Sequence, residues 1–203
     1  MIFRTMLYSS IYHNVCFLLD FVNTAYYTLF GMSVVTATKR KFFFCDKREE
    51  TRMDFKRYIH AHSDELLASL AALVRIPSVE GEPEEGAPFG KEPARCLREM
   101  LALCEKLGFP TENMDDRVGW CEYGEGEEMV AVLGHLDVVP AGDGWTESEP
   151  FSGEIKNGRI YGRGTMDDKG PMVAAVYALA ALKESGFQPS RRIRVIFGTN
   201  EET

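Results

Sequence analysis

The stretch MVAVLGHLDVVPAGDGW, residues 129–145, opens with five apolar residues and then places His135 and Asp137 two positions apart. An apolar run of this kind is typical of a strand that is buried on both faces, so we expect it near the centre of a sheet. Taken alone, His135 is more often a hydrogen-bonded core residue than a metal ligand. Its role therefore depends on which other polar side chains the fold brings beside it.

The segments after this strand predict a crossover to a second strand. The sequence SGEIKNGRIYG, residues 152–162, is typical of a hairpin because Asn157-Gly158 suits a two-residue turn. A helix is then predicted over 171–185 and a strand over 192–198. A strand–helix–strand unit of this type usually places its two strands side by side and parallel.

The segments before residue 129 predict helices and one further strand. From Met53 the apolar residues keep a helical spacing, and Pro77 should stop that helix. A polar loop rich in glycine and proline is predicted over 79–90, followed by a second helix that Gly108 ends. The sequence VGWCEY, residues 118–123, predicts a strand.

Polar side chains follow or precede these elements at one predicted edge of the sheet. They form three sets, which are His135 with Asp137, Asp167 with Asp168, and Glu201 with Glu202. Ligands of open α/β sheets bind at the carboxyl ends of the strands, where all three sets should meet. Concentrated negative charge is costly there unless a cation neutralises it. Imidazole with carboxylates suits zinc, and also manganese or cobalt.

Each set also has a simpler explanation. The Asp167-Asp168 pair could cap the helix that follows, and Glu201-Glu202 could belong to a solvated loop. The glycine-rich segment over 161–170 lacks the Gly-Lys-Ser/Thr ending of a phosphate loop. The joint arrangement favours the metal site, because three independent explanations would otherwise have to coincide at one sheet edge.

Three segments in this order resemble the M20 family of dinuclear zinc peptidases. They are GHLDVVPAGDGW (134–145), GRIYGRGTMDDKGP (158–171) and GTNEET (198–203). The strings DDKGP and NEET resemble the PepV-type dipeptidase branch more than the desuccinylase and aminoacylase branches. From about residue 53 onward, the resemblance implies an α/β fold. This would be the N-terminal part of a zinc-peptidase-like catalytic domain, with a mixed, largely parallel sheet flanked by helices and no lid domain.

The resemblance also implies a set of metal ligands. His135 and Glu202 would each ligate one zinc ion, and Asp167 would bridge the two ions. The family pattern requires a further acidic ligand and a late histidine, neither of which occurs within these 203 residues. We therefore expect the chain to be the N-terminal part of a longer enzyme.

The remaining polar residues receive supporting or catalytic roles by the same resemblance. Glu201 would be the general base on the zinc-activated water and would later protonate the leaving amine. Asp137 would orient the imidazole of His135. Asp168 is expected to cap the helix that begins at Gly170.

The expected function is metal-dependent hydrolysis of the peptide bond in dipeptides. The cofactor would be two Zn²⁺ ions, with Mn²⁺ or Co²⁺ as substitutes, and the partner a small peptide substrate. One alternative is an N-acyl amino acid deacylase or desuccinylase of the same family. A second alternative, outside the enzymes, is an inactive truncated chain, and we expect the 203-residue chain to be inactive alone.

Composition narrows the class of protein and its compartment. The net charge of −8 argues against nucleic acid as the main partner, because phosphate binding needs a basic face. There are five cysteines and no CxxC pair, which favours buried thiols in a reducing cytoplasm. A membrane partner is not expected, and the oligomeric state is left open, with a homodimer as one option.

Residues 1–52 differ from the rest of the chain. The segment over 21–38 is uncharged and just long enough for a membrane helix, but Asn23 and Gly31 weaken that interpretation. The string KREETR before Met53 is what a purine-rich ribosome-binding site would encode. Our hypothesis is that translation begins at Met53, so that residues 1–52 are an unassigned extension and residues 53–203 the catalytic part.

Overall fold

A computed structural model describes residues 48–203 of the chain. It contains four helices, α1 (Arg48–Ala61), α2 (Ser63–Val74), α3 (Lys91–Lys106) and α4 (Lys169–Glu184). The six strands are β1 (Thr111–Met114), β2 (Val118–Tyr123), β3 (Met129–His135), β4 (Glu154–Lys156), β5 (Arg159–Tyr161) and β6 (Arg192–Gly198). Over this range, none of the helices has both the length and the apolar character needed to cross a bilayer. The uncharged segment over 21–38 lies outside the described residues.

The main sheet has four strands in the order β1-β2-β6-β3. Strands β3 and β6 are parallel neighbours, paired from Met129 opposite Arg192 to His135 opposite Gly198. The predicted crossover through α4 is therefore confirmed, and so is a mixed α/β sheet with flanking helices. The parallel pairing brings the carboxyl ends of β3 and β6 together at one edge of the sheet.

Two details of the predicted sheet are wrong for the described residues. Only the β3–β6 pair is parallel, because β1 pairs with β2 and β2 with β6 in the antiparallel sense. The short connection between β1 and β2 allows only an antiparallel pair. Strand β3 lies at an edge rather than at the centre, and Met129 and Leu133 are correspondingly 41% and 43% exposed. An apolar run indicates a strand but does not fix its place in the sheet.

The predicted hairpin is present as a separate two-stranded sheet. Strands β4 and β5 pair in the antiparallel sense, with Lys156 opposite Arg159. Asn157 and Gly158 form the turn with positive φ angles of 52° and 71°. This is the conformation that an Asn-Gly hairpin turn favours.

The single helix predicted between Met53 and Pro77 is in fact two helices. Helix α1 begins upstream at Arg48, and His62 separates it from α2 with a φ of −104° and a ψ of 14°. The acidic side chains in the first turn of α2 favour a new helix N-terminus at this point. Apolar residues of both helices enter one core, so the hydrophobic spacing continues across the break and conceals it.

The core lies between the helices and one face of the sheet. Helix α4 is buried along its length from Met172 to Leu182, and alternate residues of β6 are buried beneath the helices. The predicted buried thiols are confirmed for the three cysteines in the described part, which are free and buried: Cys96, Cys104 and Cys121. Helix α4 is thus fixed against the sheet, with its N-terminus beside the ends of β3 and β6.

Candidate metal centre

Three predicted ligands meet where β3 and β6 end and α4 begins. One ligand atom each from His135, Asp167 and Glu202 lie within 4.8 Å of one another. Zinc binds nitrogen and oxygen at about 2.0–2.2 Å, which keeps two ligands of one ion within about 4.4 Å. The group therefore fits one ion after a small closure of the three ligand atoms. The side chain of Asp167 is 79% exposed and has room for that adjustment.

The imidazole of His135 is buried, and contacts to both of its nitrogens hold it. Nε2 lies 3.2 Å from Oδ1 of Asp167, and Nδ1 lies 3.1 Å from the main-chain oxygen of Asp137. A carbonyl oxygen can only accept, so Nδ1 donates to it and Nε2 is left unprotonated in the neutral ring. Nε2 is the atom that faces the carboxylates, as a metal ligand must.

Asp137 is also buried, and its side chain links the two strand ends. Oδ2 accepts hydrogen bonds from the backbone N–H groups of Glu201, at 2.8 Å, and Glu202, at 3.0 Å. Oδ1 lies 3.5 Å from Nδ1 of His135. Burial by itself would raise the pKa of Asp137, but His135 and the two backbone amides outweigh burial and lower it. The expected contact with His135 is present, and it is made most closely by the main-chain oxygen of Asp137.

Asp168 does not cap helix α4 as expected. It occupies the position before the helix, but its side chain makes no capping hydrogen bond. Oδ2 instead accepts the backbone N–H of His135 at 3.2 Å. This is sterically allowed because residue 134 is glycine, and a Cβ there would lie only 2.1 Å from that oxygen. Burial raises the pKa of Asp168 to about 6, and the charges of Asp167 and Glu201 act in the same direction.

Glu201 lies at the rim of the group rather than within it. Its side chain is 65% exposed, and Oε2 is 3.7 Å from Nε2 of His135. The neighbouring Glu202 is less exposed, and burial followed by the charge of Asp167 raises its pKa. Besides Asp137 on the Nδ1 side, the carboxylates of Asp167, Glu201 and Glu202 thus gather around one imidazole. A divalent cation would relieve the repulsion among these negative charges.

Lys169, the first residue of α4, is buried beside the ligand group and was not identified from the sequence. It is fully buried, and its Nζ donates to the main-chain oxygens of Leu73, at 3.0 Å, and Ile76, at 2.7 Å. These bonds join the start of α4 to the end of α2. The signal in the sequence was a lysine directly after Asp167-Asp168, but its acceptors lie more than 90 positions away.

The metal-free protein should bind protons at His135 more tightly than an ordinary histidine does. Burial lowers the pKa of His135, but Asp137 and Asp168 outweigh burial and raise the pKa from 6.5 to about 9. The imidazolium therefore stabilises the metal-free fold fully below pH 6.5, and this contribution is lost as the pH rises through 9. Metal must displace this proton, so metal affinity should increase with pH over the same interval.

This prediction is measured by NMR titration of the His135 ring nitrogens in metal-free protein and by calorimetric metal titrations between pH 6 and 9. The His135→Gln variant assigns the resonance. An ordinary titration near pH 6.5, with a metal affinity that does not depend on pH, would contradict the prediction.

Comparisons with known proteins give this arrangement a context. The family model described as Peptidase family M20/M25/M40 matches residues 131–203. The putative dipeptidase YtjP of Bacillus subtilis (strain 168) is 46% identical over 153 residues, covering 74% of this chain and 33% of that protein. The Beta-Ala-Xaa dipeptidase of Lactobacillus delbrueckii subsp. lactis is 43% identical over 154 residues, again covering 74% of this chain and 33% of that protein.

Solved structures share the fold. Human carnosine dipeptidase 1 is 27% identical with a TM-score of 0.63, covering 75% of this chain and 35% of that chain. The dipeptidase Dug1p of Saccharomyces cerevisiae is 22% identical with a TM-score of 0.59, covering 72% of this chain and 34% of that chain. Because its sequence identity is only 22%, the similarity to Dug1p shows a shared fold only. The chain spans about a third of the length of the curated relatives it matches.

Proposed function

Because the chain belongs to peptidase family M20/M25/M40, we propose that the full-length protein is a metal-dependent dipeptidase. The observation that carries the proposal is the convergence of His135, Asp167 and Glu202, whose ligand atoms lie within 4.8 Å. The names of the bacterial relatives support a dipeptide as the substrate. Because those relatives are about three times as long as the matched region, the activity is proposed for the full-length protein.

The family implies a divalent metal, and the donor set fits one. One imidazole with two carboxylates suits zinc, which we propose as the metal, with manganese or cobalt as substitutes. His135 and Glu202 would each hold one ion, and the exposed carboxylate of Asp167 would be shared between the two. When bound, the cations lower the pKa of a nearby water and stabilise negative charge that develops on the substrate carbonyl oxygen.

We assign the proton transfers to Glu201. Its carboxylate lies 3.7 Å from His135 Nε2 at the exposed rim, where both water and substrate can reach it. Glu201 would accept the proton of the attacking water and then deliver it to the leaving amine. His135, held through Nδ1, keeps Nε2 directed at the ligand group during these steps.

The test is an activity profile of the purified full-length protein. The protein is loaded with zinc, manganese or cobalt and offered dipeptides, including β-Ala-Xaa peptides, alongside N-acetyl and N-succinyl amino acids. We expect metal-dependent cleavage of dipeptides that a chelator abolishes and added metal restores. Cleavage of the N-acyl amino acids alone would indicate a deacylase instead. Loss of all metal-dependent hydrolysis would overturn the enzymatic assignment, and the 203-residue chain assayed in parallel tests whether this region is active alone.

A further inference from the structure

We infer that the carboxylate of Asp137 is a positioning residue that anchors the main chain of Glu201 and Glu202, and that this matters more to catalysis than its effect on the His135 ring. The inference rests on the proposed function, because it gives Asp137 a part in that reaction. It concerns the two strand ends, since Asp137 follows β3 whereas the two glutamates follow β6.

The first support is where the side chain makes its hydrogen bonds. A single oxygen, Oδ2, accepts from two successive backbone N–H groups, at 2.8 Å from Glu201 and 3.0 Å from Glu202. Asp137 is only 2% exposed, so water does not compete for these bonds. Hydrogen bonds to an ionised carboxylate are shorter and stronger than those between neutral groups.

The second support is that His135 is held by groups other than this carboxylate. Its Nδ1 bonds to the main-chain oxygen of Asp137, which every residue at that position retains. Its backbone N–H bonds to Oδ2 of Asp168. Among the described residues, Oδ1 of Asp137 makes no hydrogen bond, although it lies 3.5 Å from Nδ1.

The third support is that the glutamate segment leaves the sheet before it reaches the site. Strand β6 ends at Gly198, and residues 199–203 adopt no regular structure. The hydroxyl of Thr199 still bonds to the main chain near β2, at 2.7 Å from the oxygen of Arg117. Beyond that point, Asp137 fixes the backbone through its two hydrogen bonds. The negative charges of Asp167 and Glu201 meanwhile repel that of Glu202.

The consequence is a specific kinetic defect when the anchor is lost. Glu201 would still be present, but its carboxylate would no longer be fixed relative to the ligand atoms. Misplacement of a catalytic group by about 1 Å costs about 100-fold in rate. The loss should appear mainly in kcat, since the anchor does not itself bind substrate.

Two substitutions separate anchoring from an electrostatic effect on the imidazole. Asp137→Asn keeps an oxygen that can accept both N–H groups but removes the charge, whereas Asp137→Ala removes the acceptor. In the zinc-loaded full-length protein, we expect Asp137→Ala to lower kcat about 100-fold, and Asp137→Asn to stay within about tenfold of wild type. Glu105→Ala, which removes an acidic acceptor of a bond from Thr111 outside the centre, is the matched control and should leave kcat unchanged.

Amide hydrogen exchange in the metal-free protein provides a readout that does not depend on activity. The amides of Glu201 and Glu202 should lose protection in Asp137→Ala and keep most of it in Asp137→Asn. The amide of Phe197 in β6 should stay protected in both variants. This measurement stands even if wild type cleaves no dipeptide, so failure of the anchor and failure of the proposed function are distinguishable.

Equal kcat losses in the two variants with unchanged protection of both glutamate amides would overturn the inference in favour of the imidazole. Wild-type kcat in Asp137→Ala would overturn it as well. Should Asp137→Ala fail to fold, Asp137→Asn decides alone. Activity within about tenfold of wild type with protected amides supports the anchor, and a loss beyond about 100-fold with protected amides refutes it.

Discussion

Replacing Glu201 by glutamine is expected to lower kcat of the metal-loaded, full-length protein by about 10²–10⁴-fold while its metal content stays unchanged. Glutamine has nearly the same shape as glutamate but cannot accept the proton of the attacking water. The ligand group consists of His135, Asp167 and Glu202, and Glu201 lies at its exposed rim. The substitution should therefore remove a base without removing a ligand.

The measurement compares kcat on a dipeptide with metal content determined by elemental analysis of the same preparation. Glu99→Gln, which makes the same chemical change at an exposed position of α3, is the matched control and should retain both. Loss of metal from Glu201→Gln would show that Glu201 is a ligand. Unchanged kcat would place the base on another residue.

The elements that build the site could be predicted because their signals are local. The apolar run of β3, the helical pattern of α4 and the Asn157-Gly158 turn each depend on neighbouring residues. The parallel pairing of β3 and β6 then follows from the general behaviour of strand–helix–strand units. Together these features predict that His135, Asp167 and Glu202 lie at one edge of the sheet.

The polar contacts around the ligands could not be predicted, because they join residues far apart in the chain. Asp137 bonds to amides 64 and 65 positions away, and Lys169 bonds to carbonyls 96 and 93 positions away. The side chain of Asp168 also depends on a residue far away in the chain. Its position before a helix predicts a cap, but its carboxylate accepts the backbone N–H of His135 at the end of β3 instead.

The sequence prediction missed strand β1 and the helix break at His62, because the hydrophobic pattern marks neither feature. The segment Thr111–Met114 is a polar, largely exposed edge strand, so it shows no alternation of apolar residues. The break at His62 is concealed because the helices on either side pack into one core and keep the same spacing. Tertiary contacts determine the structure in both places, and the local propensities of the residues do not predict it.

Asp167→Ala should lower metal affinity by more than about 100-fold, beyond the 10- to 100-fold loss that follows removal of a group that only orients a ligand. The carboxylate of Asp167 lies 3.2 Å from Nε2 of His135 and is the most exposed of the three proposed ligands. If it is shared between two ions, its removal weakens both sites together. If it holds a single ion, one metal per chain should remain bound.

Metal stoichiometry after dialysis, together with the visible spectrum of the cobalt-loaded protein, separates these outcomes. Asp143→Ala, in the exposed loop that follows β3, is the matched control and should keep wild-type stoichiometry. A variant that retains two zinc ions at wild-type affinity would contradict the bridging role. Retention of one ion would show that Asp167 holds only the ion that is lost, and that other ligands hold the ion that remains. Loss of both ions is the outcome that a shared carboxylate requires, because each ion then loses one of the few protein ligands that hold it.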